Sequence, residues 1–150
     1  MSVVERFYSA LARKDWAAMG ACYAEEARFS DPVFPDLDAA GVRAMWKMLL
    51  SSGTDLRVTF TIGEETGTRG RSVCDAFYTF SATGRPVHNI IHSTFEIRDG
   101  LIFRQHDRFN FWRWSRQALG WRGLLLGWTP LVRNKVRATA AARLAKAMQR

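Results

Sequence analysis

Only two of the 150 residues are cysteines, Cys22 and Cys74, and they lie far apart in the chain. They form no metal or redox motif, and reduced thiols in a cytosolic setting are the expectation. No apolar run approaches the length of a membrane-spanning helix. The opening MSVVERFYSALARKD carries charges inside its apolar pattern and has no continuous hydrophobic region, so it does not read as a secretory signal. No repeat or low-complexity linker interrupts the chain, and its length suits one domain. Nucleotide-binding signatures and the G-x-S-x-G nucleophile pattern are missing as well. Acidic residues are absent from residues 108–150, which hold 10 Lys/Arg, whereas residues 1–107 hold 12 Lys/Arg and 14 Asp/Glu. The basic character therefore belongs to the tail and not to the body of the protein.

What is present is mostly patterned apolar sequence. Val3, Val4, Phe7, Tyr8 and Leu11 have helical spacing with one buried stripe. Asp15 can cap a second helix with Trp16, Met19, Cys22 and Tyr23 turned inward. Ala27 to Ser30 reads as a short strand stopped at Asp31-Pro32, where proline removes a donor. Asp31 is either a working carboxylate at a strand end or the cap of an Asx turn. A third helix follows from about Gly41 to Leu50, with Val42, Met45, Trp46, Leu49 and Leu50 inward. From Leu56 onward LRVTFTIGEE and RSVCDAFYTFSA alternate as strands. Asp75 falls at an edge or rim.

The stretch PVHNIIHSTFEIRDGLIFRQHDRFNFWRW, from Pro86 to Trp114, reads as two strands joined at Asp99-Gly100. Asp-Gly favours a type I′ turn, in which both central residues take positive φ. With a two-residue loop and an uninterrupted ladder, Arg98 faces Leu101 and His92 falls opposite Asp107. One face then carries His88, Ile90, His92 and Thr94 against Phe109, Asp107, Gln105 and Phe103, the composition of a small-molecule pocket. A one-residue slip would turn every side chain to the other face. The opposite face, with Ile91, Phe95, Ile97 and Ile102, is too apolar for water, which predicts a homodimer through it.

After Phe111 the period changes again. Trp112 to Leu119 reads as a helix ended by Gly120, WRGLLLGWTP as a glycine-punctuated apolar loop, and Leu131 to Arg150 as a helix with a stripe at Val132, Val136, Ala140, Leu144 and Met148. Trp112, Trp114, Trp121 and Trp128 make this tail aromatic.

Three helices, a short strand ending in Asp-Pro and a long antiparallel meander fit an α+β fold. Together with FYSALARKDWAAMGACYAEEARFSDPVF and IRDGLIFRQHDRFNFW, this order resembles the nuclear transport factor 2-like superfamily, in its SnoaL-like polyketide cyclase and ketosteroid isomerase branch. The resemblance implies a cone-shaped curved antiparallel sheet wrapped around N-terminal helices. It divides the chain into a SnoaL-like domain over 1–114 and an extra basic helical tail over 115–150 that packs on or extends that domain. It places Asp31 on the isomerase's general base, His92 on its oxyanion-stabilising acid and Asp107 on the acid of the SnoaL-like cyclases. Phe7 stands where the isomerase has a tyrosine, with Tyr8 one residue out of register.

Two functions follow as expectations. The first is a small-molecule pocket protein acting as a cofactor-free acid–base enzyme of isomerase, cyclase or lyase type on a hydrophobic carbonyl compound. Asp31, His92 and Asp107 would be catalytic, with either carboxylate as the base. Tyr8, Tyr23, Phe34, Trp46, Ile90, Phe103 and Phe109 would hold the substrate. No metal is expected, since His88 and His92 are four apart on a strand and so span two pleats. The alternative is a non-catalytic ligand-binding or dimeric interaction module of the same fold. Nucleic acid is not expected as a partner. Contact of the basic tail with a membrane surface is considered and not favoured, because tryptophan and leucine at this density are usually buried in a lid or an interface.

Overall fold

The structure, a computed structural model, describes residues 1–52 and 55–149. Arg150, the expected last residue of the final helix, lies outside them.

Helix α1 spans Val3–Ala12. Ser2 caps it reciprocally: its side chain accepts from the Glu5 amide, and the Glu5 carboxylate accepts from the Ser2 amide. The buried stripe is the expected one, Val3, Val4, Phe7, Tyr8 and Leu11, with Ala10 added. Asp15 caps the short α2, Trp16–Gly20. This helix ends before Cys22 and Tyr23 can belong to it, and Tyr23 instead opens strand β1, Tyr23–Ser30. Trp16 lies on the outside of α2, under the Lys47 ammonium. Helix α3 spans Ala39–Ser52 and buries Val42, Met45 and Leu50, whereas Leu49 turns outward.

The sheet has six strands in the order β2-β1-β6-β5-β4-β3 and is curved and unclosed. Strand β2 is Leu37–Asp38, β3 Arg57–Glu65, β4 Arg69–Phe80, β5 Arg85–Arg98 and β6 Leu101–Arg108. All neighbours are antiparallel except β1 and β6, which run parallel and bring the first strand of the chain beside the last. Phe7 sits at the middle of the core, with the rings of Tyr8, Tyr23, Trp46 and Phe95 at 5.1 to 6.0 Å. A tyrosine hydroxyl at this position would have to find a partner inside an aromatic cage.

The β5–β6 turn is of the expected kind, with φ of 52° at Asp99 and 73° at Gly100. The ladder beyond it is not. Arg98 pairs with Leu101 and Ile97 with Ile102, but Glu96 pairs with Arg104, so Phe103 is an extra residue that bulges from β6. From there Ser93 opposes Asp107 and His92 opposes Arg108. The helix-facing side of β5, by its alternating burial, is Val87, Asn89, Ile91, Ser93, Phe95 and Ile97. Phe95, Ile97 and Ile102 are core residues at 2, 5 and 0% exposure, and Ile91 packs against the same core. The expectation of a homodimer through these residues loses its basis, because they are enclosed in the chain's own core, with Phe7 and Tyr8 of α1 against Phe95.

Three helices complete the chain: α4 Phe111–Leu119, α5 Trp121–Leu126 and α6 Pro130–Met148. The segment expected as an apolar loop is thus helical at α5. Phe111, Trp114 and Ala118 of α4 form a second buried cluster with Val87, against which Val132 and Val136 of α6 pack. Further along, α6 buries Leu144 in the main core beside α3. The Arg137 Nε donates to the Pro32 carbonyl at 2.8 Å, pinning α6 to the loop after β1.

Candidate functional site

Asp107 is the most deeply placed carboxylate of the sheet, at 7% exposure. The Phe103 bulge turns it and Gln105 to the helix-facing side, alongside Ile102. Its Oδ1 accepts two hydrogen bonds, from Ser93 Oγ at 2.6 Å and Gln105 Nε2 at 3.0 Å. Each donor is fixed in turn. The Tyr8 hydroxyl donates to Ser93 Oγ at 3.2 Å and lies 2.6 Å from Ser72 Oγ. The Tyr23 hydroxyl donates to Gln105 Oε1 at 2.5 Å and accepts from Trp46 Nε1 at 3.0 Å. One continuous network, Trp46–Tyr23–Gln105–Asp107–Ser93–Tyr8–Ser72, thus crosses the core between α1, α3 and the sheet.

The donors converge on one oxygen. Asp107 Oδ2 has no hydrogen-bond partner among the described residues, so a bound proton belongs there, with the carbonyl character at Oδ1. Burial pushes the Asp107 carboxyl up to about 7; the Ser93 and Gln105 bonds pull it down, and the Asp31 charge adds to the rise. The group can therefore hold or release a proton near neutrality. Burial likewise raises the Tyr8 and Tyr23 hydroxyls, which stay neutral donors.

Asp31 follows the Asx-turn reading: its Oδ1 accepts from the amides of Val33 at 2.7 Å and Phe34 at 2.6 Å. Burial still moves its carboxyl up to about 6, against the pull of those two amides and of Arg137 on α6. Tyr78, whose hydroxyl accepts from Trp114 Nε1 at 2.8 Å, feels the Asp31 charge. Asp31, Tyr78, Trp114 and Arg137 thus gather where the tail meets the loop after β1.

His92 is not part of this assembly. Alternation with the buried Ser93, Phe95 and Ile97 puts it on the open face of the sheet, exposed, and the bulge sets it opposite Arg108, in a shallow concavity of about 310 Å³ with Arg71 and Thr94. The expected His92–Asp107 pair does not form. Ile90 is also on the open face, and Phe103 bulges beside Arg98, whose guanidinium stacks 3.7 Å from its ring centroid. Phe34 is buried in the main core, and Phe109 packs against the Phe111–Trp114 cluster. The His–carboxylate contact that does exist is His88 Nε2 to Asp75 Oδ1 at 2.7 Å, half-exposed, with His88 stacked on Phe77.

Ser93, Ser72 and Asn89 escaped the sequence reading as site residues, and Gln105 entered it only as a member of the pocket face. Asn89 lies buried on the helix-facing side of β5, and its side chain has no hydrogen-bond partner among the described residues. Alternation alone groups it with Ser93, Phe95 and Ile97; only the wrong face was assigned. No cluster of three or more metal-ligating side chains occurs among the described residues.

The fold is shared with known proteins. IdmH of Streptomyces antibioticus, a proposed polyketide cyclase, is 20% identical, with a TM-score of 0.64 over 77% of this chain and 94% of that one. A proposed polyketide cyclase of Xanthomonas campestris is 25% identical, with a TM-score of 0.60 over 77% and 93%. A Catenulispora acidiphila protein with a ketosteroid isomerase-like fold is 13% identical, with a TM-score of 0.67 over 77% and 91%. No protein of curated function matches the sequence. The SnoaL-like domain matches residues 4–105, which hold α1 to α3 and all of the sheet but the end of β6, and the chain belongs to that family.

Proposed function

We propose that this is an acid–base enzyme of isomerase, cyclase or lyase type, acting on a hydrophobic carbonyl compound with Asp107 as the group that moves the proton. One observation carries the reading: a carboxyl near neutrality whose Oδ1 is held by Ser93 and Gln105, while Oδ2 is left without a partner. Such a group is oriented before substrate arrives, so little reorganisation accompanies proton transfer. The Asn89 amide offers a donor for a substrate oxygen from the same side of the sheet. Asp31 is a second carboxyl near neutrality, half-occupied as a turn cap, and is assigned the supporting role. Tyr8, Tyr23 and Trp46 shape the site through the network, and Phe34 and Phe109 supply apolar surface. His92, Ile90 and Phe103 have no part in it. The relatives that are proposed polyketide cyclases support a small-molecule ligand.

A non-catalytic binding protein is the second reading. It is favoured by the mutual satisfaction of Tyr8, Tyr23, Ser93 and Gln105, an arrangement that also stiffens a core. A homodimer through a surface other than that buried face, and a cytosolic setting, remain part of the proposal.

Native mass spectrometry of gently purified protein identifies a co-purifying ligand and counts subunits. That compound is then incubated in deuterated water with wild type and with Asp107→Asn. Deuterium uptake or conversion by wild type, lowered by about a hundredfold or more in the variant, supports the assignment. Binding by both without turnover supports the second reading, and undiminished turnover by the variant removes Asp107 from the mechanism.

A further inference from the structure

The tail buries some of its aromatic and aliphatic residues and leaves others in solvent. Phe111, Trp114 and Leu144 are buried, but Trp121, Leu124, Leu125, Leu126, Trp128 and Leu131 are 45 to 73% exposed. They are neighbours in sequence and form one tip around α5. The reason lies in the glycines. A Cβ at Gly123 would stand 1.9 Å from the Ser115 carbonyl oxygen, and one at Gly127 would stand 2.7 Å from Ser115 Cβ. Helix α5 therefore presses its glycine face onto α4 and points its large apolar side chains outward. The exposure is a result of close packing on the other side.

The backbone acceptors at the end of the tip are already bonded. Three carbonyls at the end of α5 accept from side chains: Leu124 from the Trp112 indole at 3.1 Å, Leu125 from the Trp128 indole at 3.0 Å and Leu126 from Thr129 Oγ1 at 2.5 Å. A tip whose backbone acceptors are bonded internally can enter a less polar medium at reduced desolvation cost. The charge of the tail that carries it has one sign. Residues 108–150 contain 10 Lys/Arg and no Asp/Glu, with Arg122 over the Trp121 ring at 5.6 Å. No helix among the described residues is long and apolar enough to cross a membrane.

We infer that the α5 tip is a peripheral anchor for an anionic phospholipid bilayer surface. Trp121 and Trp128 enter the headgroup region, Leu124, Leu125, Leu126 and Leu131 reach the acyl boundary, and the basic residues of the tail pair with phosphate. A second copy of the chain is the less suitable occupant. Two tips meeting around a twofold axis would bring together two segments of like charge with no carboxylate between them. Of the lid or interface expected for the tail, these six residues form no lid buried within the chain, whereas Trp114 and Leu144 are buried against it.

Co-sedimentation with lipid vesicles tests this on the full chain. One vesicle set is phosphatidylcholine alone, and the other has one part in three phosphatidylglycerol. Wild type is expected to bind the anionic vesicles at least about tenfold more tightly, and to lose most of that preference as salt rises well beyond about 0.1 M. The double variant Leu125→Glu/Leu131→Glu is expected to lower binding by about tenfold or more, with an unchanged melting temperature because both positions face solvent. Arg122→Gln/Lys135→Gln is a second variant that leaves the apolar tip intact and is expected to weaken only the anionic preference. Absence of vesicle binding, equal binding to both vesicle types, or full binding by the glutamate variant would overturn the inference. So would a wild-type dimer that the glutamate variant splits, which would assign the tip to a second copy.

Discussion

At the scale of single residues, Asp107 ties chemistry to stability. Its carboxyl is held near 7 in the folded chain and lies in the ordinary carboxylate range when unfolded. Below about pH 4 both states are protonated and the group makes no difference. As pH rises from about 4 to about 7 the unfolded chain releases the proton first, so folding loses stability, on the order of 4 kcal/mol once the folded carboxyl has ionised. Asp31, moved in the same direction, acts with the same sign over a narrower range. Asp107→Asn keeps both acceptor bonds at Oδ1 and removes this titration. Urea denaturation is expected to show the variant gaining on wild type steadily between about pH 4 and pH 7; a constant difference would mean that the carboxyl is not shifted. The candidacy of Asp107 and Asp31 was visible in the sequence. The residues that tune Asp107 were not, because Ser93 and Gln105 are ordinary strand residues until the register is known.

Register belongs to the scale of elements, and one residue decides it. The Asp-Gly turn was legible because its φ requirement is local. The bulge at Phe103 was not, since a bulge depends on how two strands pack and not on a residue type. An uninterrupted ladder gave His92 to Asp107, and one inserted residue moved Asp107 to the other face; Ile91, Phe95 and Ile97 were placed outside by a separate error, the choice of which face of β5 meets the helices. The tail had a similar outcome: helices α4 and α6 showed their periodicity, whereas α5 is too short for a period to register, and glycines that normally signal a loop are used there for close contact. Gly123→Ala is accordingly expected to cost about 1–3 kcal/mol by prying α5 from Ser115. Leu125→Ser, four-sevenths exposed on the same helix, should cost nothing measurable. Thermal melts of the two variants check the contrast.

For the molecule as a whole, the order of helices and strands carried the fold, and the division into a domain over 1–114 and a tail over 115–150 is a proposal that energetics can examine. Leu144, at 5% exposure, lies in the same core as Val4 and Phe7. Leu144→Ala is expected to destabilise the entire chain by about 2–4 kcal/mol in one cooperative transition, seen by calorimetry. A separate, earlier transition would make the tail an independent unit.

The parallel pairing of β1 with β6 has a further consequence, for how the protein comes to exist during synthesis. Phe29 on β1 pairs with Gln105, and Tyr8 on α1 bonds Ser93, so the N-terminal third has no sheet to join until the last strand is made. Closing loops this long before any reward arrives slows folding. The nascent chain must therefore release β6 from the ribosome before its core can close, with its first helices waiting on its final strand.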